Sequence, residues 1–281
     1  MTKVVNSQEI SKDIFTDIKN GALAFEQKAG RKLTLHILQV GDDQASTIYV
    51  RMKLKKATEV GINAILTKLP REVTQPELEN KIIELNNNKE VDGFFIQAPI
   101  SKHLDFTKAS NLIEQEKDVD GLSSRNLGLL FQNSKAALAP ATALAVIDLL
   151  TSQDNFSLEG KHAVIFGRST IVGEPLAALL LSKNSSVTIL HSKSIKIEEI
   201  SKTADIIVLA TGKQNVISNE SIKEGAFIVD CGAPNPEASE EILLGSRAGY
   251  ATPVPGGVGP LTILNLLKNV VIAGERKYGS F

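Results

Sequence analysis

Apolar positions along this chain change period several times, and the changes divide it into elements. Over residues 6–29, Ile10, Ile14, Ile18 and Phe25 fall at helical spacing and the segment stops beside Gly30, which predicts a first helix. The period then alternates: residues 33–40 read as strand, 46–60 as helix, 63–69 as strand, 75–87 as helix and 93–97 as strand. A βαβαβ series of this kind predicts a parallel sheet. After a looser stretch containing Asp118-Val119-Asp120-Gly121, an apolar helix over 142–150 leads through polar residues 151–155 into a second alternation. Its strands are 163–166, 186–190, 206–210 and 227–231, with a helix-like run over 176–181. A last apolar helix, 261–273, follows a glycine-rich loop. The pattern predicts an α/β protein whose domain change falls near residues 140–155.

Composition narrows the class. At 281 residues the chain is long enough for two domains of ordinary size. With 42% hydrophobic and 22% charged residues it has the make-up of a globular protein, and a net charge of -1 gives no long-range pull toward nucleic acid or an anionic membrane. Small molecules are the expected partners. Residues 1–15 lack the continuous apolar segment of a secretion signal, and the most apolar stretch, 136–147, is interrupted by Pro140 and Thr142 and too short to span a bilayer. A lone Cys231 cannot form an internal disulfide, which fits a reducing, cytoplasmic location. No sequence repeat suggests a solenoid. His36, His103, His162 and His191 are scattered singly, with no spacing that suggests a metal site.

The most informative local feature is the turn Gly167-Arg168-Ser169-Thr170-Ile171-Val172-Gly173-Glu174-Pro175, between an apolar strand and a helix. Gly167 permits a sharp turn off the strand, Ser169 adds a hydroxyl, and Gly173 lets a helix begin with free N–H groups facing an anion. An ordinary βα connection has the same outline, and the spacing is not the full G-x-G-x-x-G. After the next strand the chain reads His191-Ser192-Lys193-Ser194, where many NAD-binding folds carry an acid against the ribose 2′-hydroxyl. With no acid present, Arg168, Ser192 and Lys193 can surround a 2′-phosphate, which favours NADP over NAD. The alternative is a polar strand-end loop.

In the first half, Ser46, Tyr49 and Lys53 stand at i, i+3 and i+7, along one face of a helix that opens just beyond a strand end. Tyrosine there can stack on a flat substrate, and lysine can exchange a proton if burial lowers its pKa. Helix-surface lysines are usually solvated, and this helix also carries Arg51, Lys55 and Lys56. Gln97 closes the strand 93–97 at its carboxyl end, where open α/β sheets bind ligands, and its amide can hold Lys53 or a substrate nitrogen. Asp118 and Asp120 flank Val119 in a turn finished by Gly121; a carboxylate there can accept hydrogen bonds from an amino-substituted heterocycle or simply build the turn. The loop Pro253-Val254-Pro255-Gly256-Gly257-Val258-Gly259-Pro260 combines stiff and permissive residues before a helix, and serves either ligand approach or a tight turn.

Four ordered motifs then converge. Val40-Gly41-Asp42-Asp43 leading to Ser46-x-x-Tyr49-x-x-x-Lys53, Lys117-Asp118-Val119-Asp120-Gly121, Gly167-Arg168-Ser169-x-x-Val172-Gly173-x-Pro175, and Thr252-Pro253-Val254-Pro255-Gly256-Gly257-Val258-Gly259-Pro260 together closely resemble the methylenetetrahydrofolate dehydrogenase and methenyltetrahydrofolate cyclohydrolase (FolD-type) family over nearly the whole chain. The resemblance implies two domains. An amino-terminal α/β catalytic domain, 1–140 plus the returning helix 261–281, would bind folate, and a Rossmann-like NAD(P)-binding domain with parallel sheet would span 141–260.

It also implies oxidation of 5,10-methylenetetrahydrofolate with NADP, hydrolysis of the methenyl product to 10-formyltetrahydrofolate in one-carbon metabolism, and a homodimer. Family roles carried over by motif make Lys53 the acid/base residue, Gln97 its hydrogen-bond partner, Tyr49 the ring stacked on the folate and Asp120 the carboxylate on the pterin edge. Gly167, Arg168, Ser169, Gly173, Ser192 and Ala233 would border the cofactor, and Pro255, Gly256 and Gly257 the substrate. The family usually reads Gln-Leu-Pro where this chain has Gln97-Ala98-Pro99, and Pro-Cys-Thr-Pro where it has Pro140-Ala141-Thr142-Ala143. After Asp230-Cys231-Gly232 a shortened segment, Ala233 to Tyr250, replaces the usual one. Alternatives within the family are a monofunctional dehydrogenase or cyclohydrolase, and outside enzymes a folate- or nucleotide-binding protein without turnover. A short-chain dehydrogenase is disfavoured because its glycine motif precedes the Tyr/Lys pair, whereas Gly167 follows it here.

Overall fold

The structure, a computed structural model, describes residues 2–245 and 247–279. In chain order it runs β1 (Lys3–Val4), α1 (Gln8–Ala29), β2 (Thr34–Val40), α2 (Gln44–Glu59), β3 (Asn63–Leu69), α3 (Gln75–Asn87), β4 (Gly93–Gln97), α4 (Phe106–Asn111), α5 (Ser124–Phe131) and α6 (Ala141–Thr151). It continues with β5 (His162–Phe166), α7 (Gly173–Ser182), β6 (Ser186–Leu190), α8 (Ile197–Ser201), β7 (Ile206–Leu209), β8 (Phe227–Asp230), α9 (Glu240–Leu244), β9 (Tyr250–Ala251) and α10 (Val258–Tyr278). The chain divides into two compact units, one of residues 13–139 and 263–281, the other of 1–12 and 140–262.

The first unit holds a parallel three-stranded sheet in the order β3-β2-β4. Its central strand β2 is buried along nearly its whole length, and so is β4, where Phe94 bridges Asp118 on the side away from β2, whereas β3 at the other edge is half exposed. Helix α2 opens where the Asp43 carboxylate accepts from the Ser46 N–H at 2.8 Å, slightly earlier than the periodicity predicts. Helix α3 opens on a capping box between Thr74 and Glu77. One core of this unit gathers Leu38, Leu78, Ile82, Leu85, Phe94 and Ile96. Helix α10 is tied to it by Asn269, whose buried amide donates to the carbonyls of Val119 at 2.8 Å and Ala139 at 2.9 Å. Helices α4 and α5 are too short to leave a period in the sequence.

The second unit carries a parallel six-stranded sheet in the order β1-β9-β8-β7-β5-β6. From β5 the chain moves outward to β6, then returns across β5 to β7, so the strand order reverses between β5 and β7. That reversal is the place where open α/β sheets bind ligands. The sequence division assigns residues 1–12 to the folate-binding domain; here they group with 140–262 instead. Strand β1 pairs with β9, and the Val5 N–H donates to the Ala251 carbonyl at 2.8 Å, so backbone pairing fixes the start of the chain on this sheet. Two exposed residues leave no periodic signal in the sequence, so pattern alone does not reveal this strand.

Candidate functional site

In the first unit, register brings the singled-out side chains together. Gln39 of β2 pairs with Gln97 of β4, and Ile37 with Phe95, so Phe95 and Gln97 share a face of the sheet. Lys53, in the third turn of α2, lies over that face. Its Nζ donates to Gln97 Oε1 at 2.9 Å and stands 4.3 Å from the centre of the Phe95 ring. The lysine is only 8% exposed. Burial pushes its pKa below the ordinary lysine value, and the Asp120 carboxylate opposes that shift. The Gln97 Nε2 donates to the Ala98 carbonyl at 2.7 Å, which turns the amide oxygen toward the lysine. Ser46, one helix turn from Tyr49, reaches the same Ala98 carbonyl at 3.4 Å. Tyr49 is half-buried and its hydroxyl pKa is raised by burial, so its ring offers an apolar face with a neutral phenol.

The two aspartates of the turn separate into different jobs. Asp118 is buried and accepts from the N–H groups of Gly121 at 3.0 Å and Ser123 at 2.9 Å and from the Asn126 side chain at 2.9 Å. It builds the turn. The Asp120 carboxyl is pushed up to about 6, chiefly by burial, with Lys53 pulling it down and Asp118 pushing it up. A lysine shifted down by burial beside a carboxyl shifted up by burial, each opposing the other's shift, is the kind of arrangement found where protons are exchanged. Lys117 belongs to the scaffold, because its ammonium donates to the carbonyls of Leu85, Asn86 and Asn88. Phe95, the ring beneath Lys53, is not among the residues the sequence marks as functional, although its place two residues before Gln97 on one strand face is visible there.

In the second unit the glycine turn lies at the sheet reversal. Gly167 has φ +115°, and a Cβ there would come within 2.2 Å of the Ala210 carbonyl oxygen. Gly173 is equally constrained, since a Cβ would come within 2.1 Å of the Gly167 carbonyl oxygen. Both positions admit only glycine without a backbone shift. The Ser169 hydroxyl accepts from the Val172 N–H at 3.2 Å, and among the described residues no side chain caps the first turn of α7. Phe166 pairs with Leu190, so Gly167-Arg168 and His191-Ser192-Lys193 leave neighbouring strands at the same sheet edge. Arg168, Ser192 and Lys193 are exposed there, and a hydrogen bond from the Lys193 N–H to His191 Nδ1 tightens the turn.

The same edge continues past β8. Ala233 is exposed in the loop after Asp230-Cys231-Gly232, and the Cys231 thiol is pushed up by burial, which makes it a poor nucleophile. Pro255, Gly256 and Gly257 lie in the loop between β9 and α10, where the Gly256 carbonyl accepts from both the Ser7 N–H and hydroxyl at 2.8 Å. Lys53, Gln97, Tyr49 and Asp120 therefore belong to one unit, and the glycine turn, Ala233 and residues 255–257 to the other. Among the described residues no group of three or more His, Cys, Asp or Glu side chains can hold a metal ion, and no helix is long and apolar enough to cross a membrane.

A dinucleotide fits this edge on two observations: backbone at Gly167 and Gly173 that admits no side chain, and exposed cations where an acid would otherwise meet the ribose. Comparison with known proteins agrees. Residues 5–120 match the tetrahydrofolate dehydrogenase/cyclohydrolase catalytic domain, and residues 140–278 match the NAD(P)-binding domain of the same enzymes. The chain is 39% identical over 284 residues to the bifunctional protein FolD of Listeria innocua, covering 98% of each chain. The crystal structure of the bifunctional FolD from Campylobacter jejuni superposes with a TM-score of 0.93 at 32% identity, covering 99% of this chain and 100% of that one. The Trypanosoma brucei dehydrogenase-cyclohydrolase, solved with NADP and an inhibitor, gives a TM-score of 0.92 at 32% identity over 99% of both chains.

Proposed function

The chain belongs to the tetrahydrofolate dehydrogenase/cyclohydrolase family, and we infer from this that it is a bifunctional enzyme acting on folate. It oxidises 5,10-methylenetetrahydrofolate to 5,10-methenyltetrahydrofolate with NADP and hydrolyses the product to 10-formyltetrahydrofolate. The observation that carries the residue assignment is the buried Lys53 Nζ 2.9 Å from Gln97 Oε1.

Bound NADP supplies the hydride acceptor. Its phosphates would lie against Gly167, Ser169 and the start of α7, with Arg168, Ser192 and Lys193 around the 2′-phosphate and Ala233 farther along the edge. On the folate side, Tyr49 would stack on the flat ring system and Asp120 would accept hydrogen bonds from the amino-substituted pterin edge. The backbone of Pro255, Gly256 and Gly257 would border the substrate. In the hydrolytic step water adds to the methenyl carbon and gives up one proton; one carbon–nitrogen bond of the five-membered ring then breaks as the formyl carbonyl forms, and the remaining hydroxyl proton passes to the departing nitrogen. Lys53 is suited to take that proton: burial favours its neutral amine, and a neutral base places no second cation beside the cationic substrate. Gln97 Oε1 accepts one lysine N–H and so holds the remaining valences toward the reacting carbon. We further propose that the enzyme is a homodimer in the cytoplasm, for which light scattering should return twice the mass of one chain.

The test is to supply 5,10-methylenetetrahydrofolate with NADP or NAD in parallel, following reduced cofactor and methenyl absorbance separately. Reduced cofactor with NADP and no lasting methenyl signal is expected. Persistent methenyl would make the chain a dehydrogenase alone, and no reduction with either cofactor would overturn the dehydrogenase assignment.

A further inference from the structure

The shortened segment after β8 carries a feature that neither the family resemblance nor the reaction uses. Glu237 is 3% exposed and turns its carboxylate back onto the turn that follows β7. Oε2 accepts from the Thr211 N–H at 2.8 Å and from the Thr211 hydroxyl at 2.7 Å, and Oε1 accepts from the Gly212 N–H at 2.8 Å. The Glu237 carbonyl accepts from the Asn215 N–H at 2.8 Å, closing the other end of the same loop. Glu237 is itself placed by Asp230 at the end of β8, whose Oδ2 accepts the N–H groups of Glu237 and Ala238 at 2.8 Å each. None of these donors to the Glu237 carboxylate is a cation.

The clasped turn has a definite neighbour. Ala210 immediately precedes Thr211, and its carbonyl oxygen is the atom that forbids a side chain at Gly167. Strands β5 and β7 are adjacent, with Phe166 opposite Leu209, so the clasp forms one wall of the sheet reversal and the glycine turn the other. With the 2′-phosphate at the end of β6 and the pyrophosphate at Gly167, the remaining half of a dinucleotide would have the ends of β7 and β8 to lie against, and the loops that leave those ends carry Thr211 and Glu237.

We propose that Glu237 is a positioning residue for the dinucleotide: it holds the Ala210-Thr211-Gly212 turn against Gly167, and its negative charge, met only by neutral donors, favours the oxidised, cationic cofactor over the reduced one. This rests on the NADP reading given above. A buried carboxylate with only neutral donors keeps its field, and an attractive charge acts on a cationic nicotinamide but not on the neutral dihydro form.

The experiment measures binding of NADP and NADPH separately by titration to the full chain and to Glu237→Gln, with hydrolysis of supplied 5,10-methenyltetrahydrofolate as a check on folding. Glu237→Gln replaces one acceptor oxygen by a donor facing N–H groups, so NADP affinity should fall about tenfold and NADPH affinity less, lowering the oxidised-to-reduced affinity ratio at least about threefold. Hydrolysis should stay within about twofold, because Lys53 and Gln97 lie in the other unit. Thr211→Val removes one donor and keeps the charge; it should weaken both cofactors by about the same factor of two to five. An unchanged affinity ratio in Glu237→Gln, or loss of hydrolysis in step with loss of binding, would overturn the proposal. Failure of the unaltered chain to bind NADP would instead overturn the cofactor reading.

Discussion

The two candidate regions solve opposite problems. Around Lys53 the working groups are side chains taken out of water: a buried lysine on a phenyl ring, an amide turned toward it and a carboxyl pushed up to about 6. Around Gly167 the working groups are backbone and exposed cations, and the essential feature is that Gly167 and Gly173 have no room for a side chain. The first region costs stability, since desolvated charges are held against their preference. The second stores its constraint in backbone geometry and leaves its charges solvated. Proton transfer needs shifted pKa values, whereas anion binding needs close backbone approach and cations, and each region has the form that its chemistry requires.

The sharpest way to break this contrast is Lys53→Ala. The cyclohydrolase rate should fall about 10³-fold while NADP binding stays within about twofold, and the melting temperature should drop, because the truncation leaves Gln97 Oε1 and the Asp120 carboxylate without their buried partner. Unchanged hydrolysis of supplied 5,10-methenyltetrahydrofolate would remove Lys53 from the reaction. In the other region Gly167→Ala should act in the reverse sense. With the new Cβ 2.2 Å from a carbonyl oxygen, the turn must move, and NADP binding measured by titration should weaken about 100-fold while hydrolysis persists.

A third comparison uses pH. The Asp120 carboxyl binds its proton more tightly in the folded chain than in the unfolded one, about 6 against an ordinary value near 3.8. The native state thus carries the extra proton between those values, and this group's contribution to stability falls as pH rises through that window. Asp120→Asn should remove the loss and raise stability at pH 7 by about 1–3 kcal/mol, read as a higher melting temperature, at the cost of folate affinity. A melting temperature at pH 7 that drops would show that the carboxylate is compensated in the native state. Arg168→Ala should have the smallest effect: an exposed side chain, no change in melting temperature, and a preference for NADP over NAD reduced about tenfold in kcat/KM.

Much of both regions is legible in the order of residues. Residues 93–97 read as a strand ending in Gln97, and the i, i+3, i+7 spacing of Ser46, Tyr49 and Lys53 puts them on one helix face at the mouth of a sheet, because periods of 2 and 3.6 are written directly in the succession of side chains. The glycine turn between β5 and α7 is equally visible, since a residue without a side chain is itself the signal. Strand β1 is not legible, because two exposed residues acquire meaning only from the strand beside them. Asp118 and Asp120 cannot be told apart by pattern: both are carboxylates in one turn, and only folding gives the first its backbone donors and the second a buried lysine.

Taken alone, the linear order of residues sets the succession of elements, the two alternations and the four motifs, all of them local patterns. Folding in three dimensions settles which unit residues 1–12 join, that Phe95 lies beneath Lys53, and that Glu237 reaches back 26 positions to clasp Thr211. Those are contacts between residues distant in sequence, and burial and hydrogen bonding there depend on neighbours supplied by strand order and register, which no local period encodes.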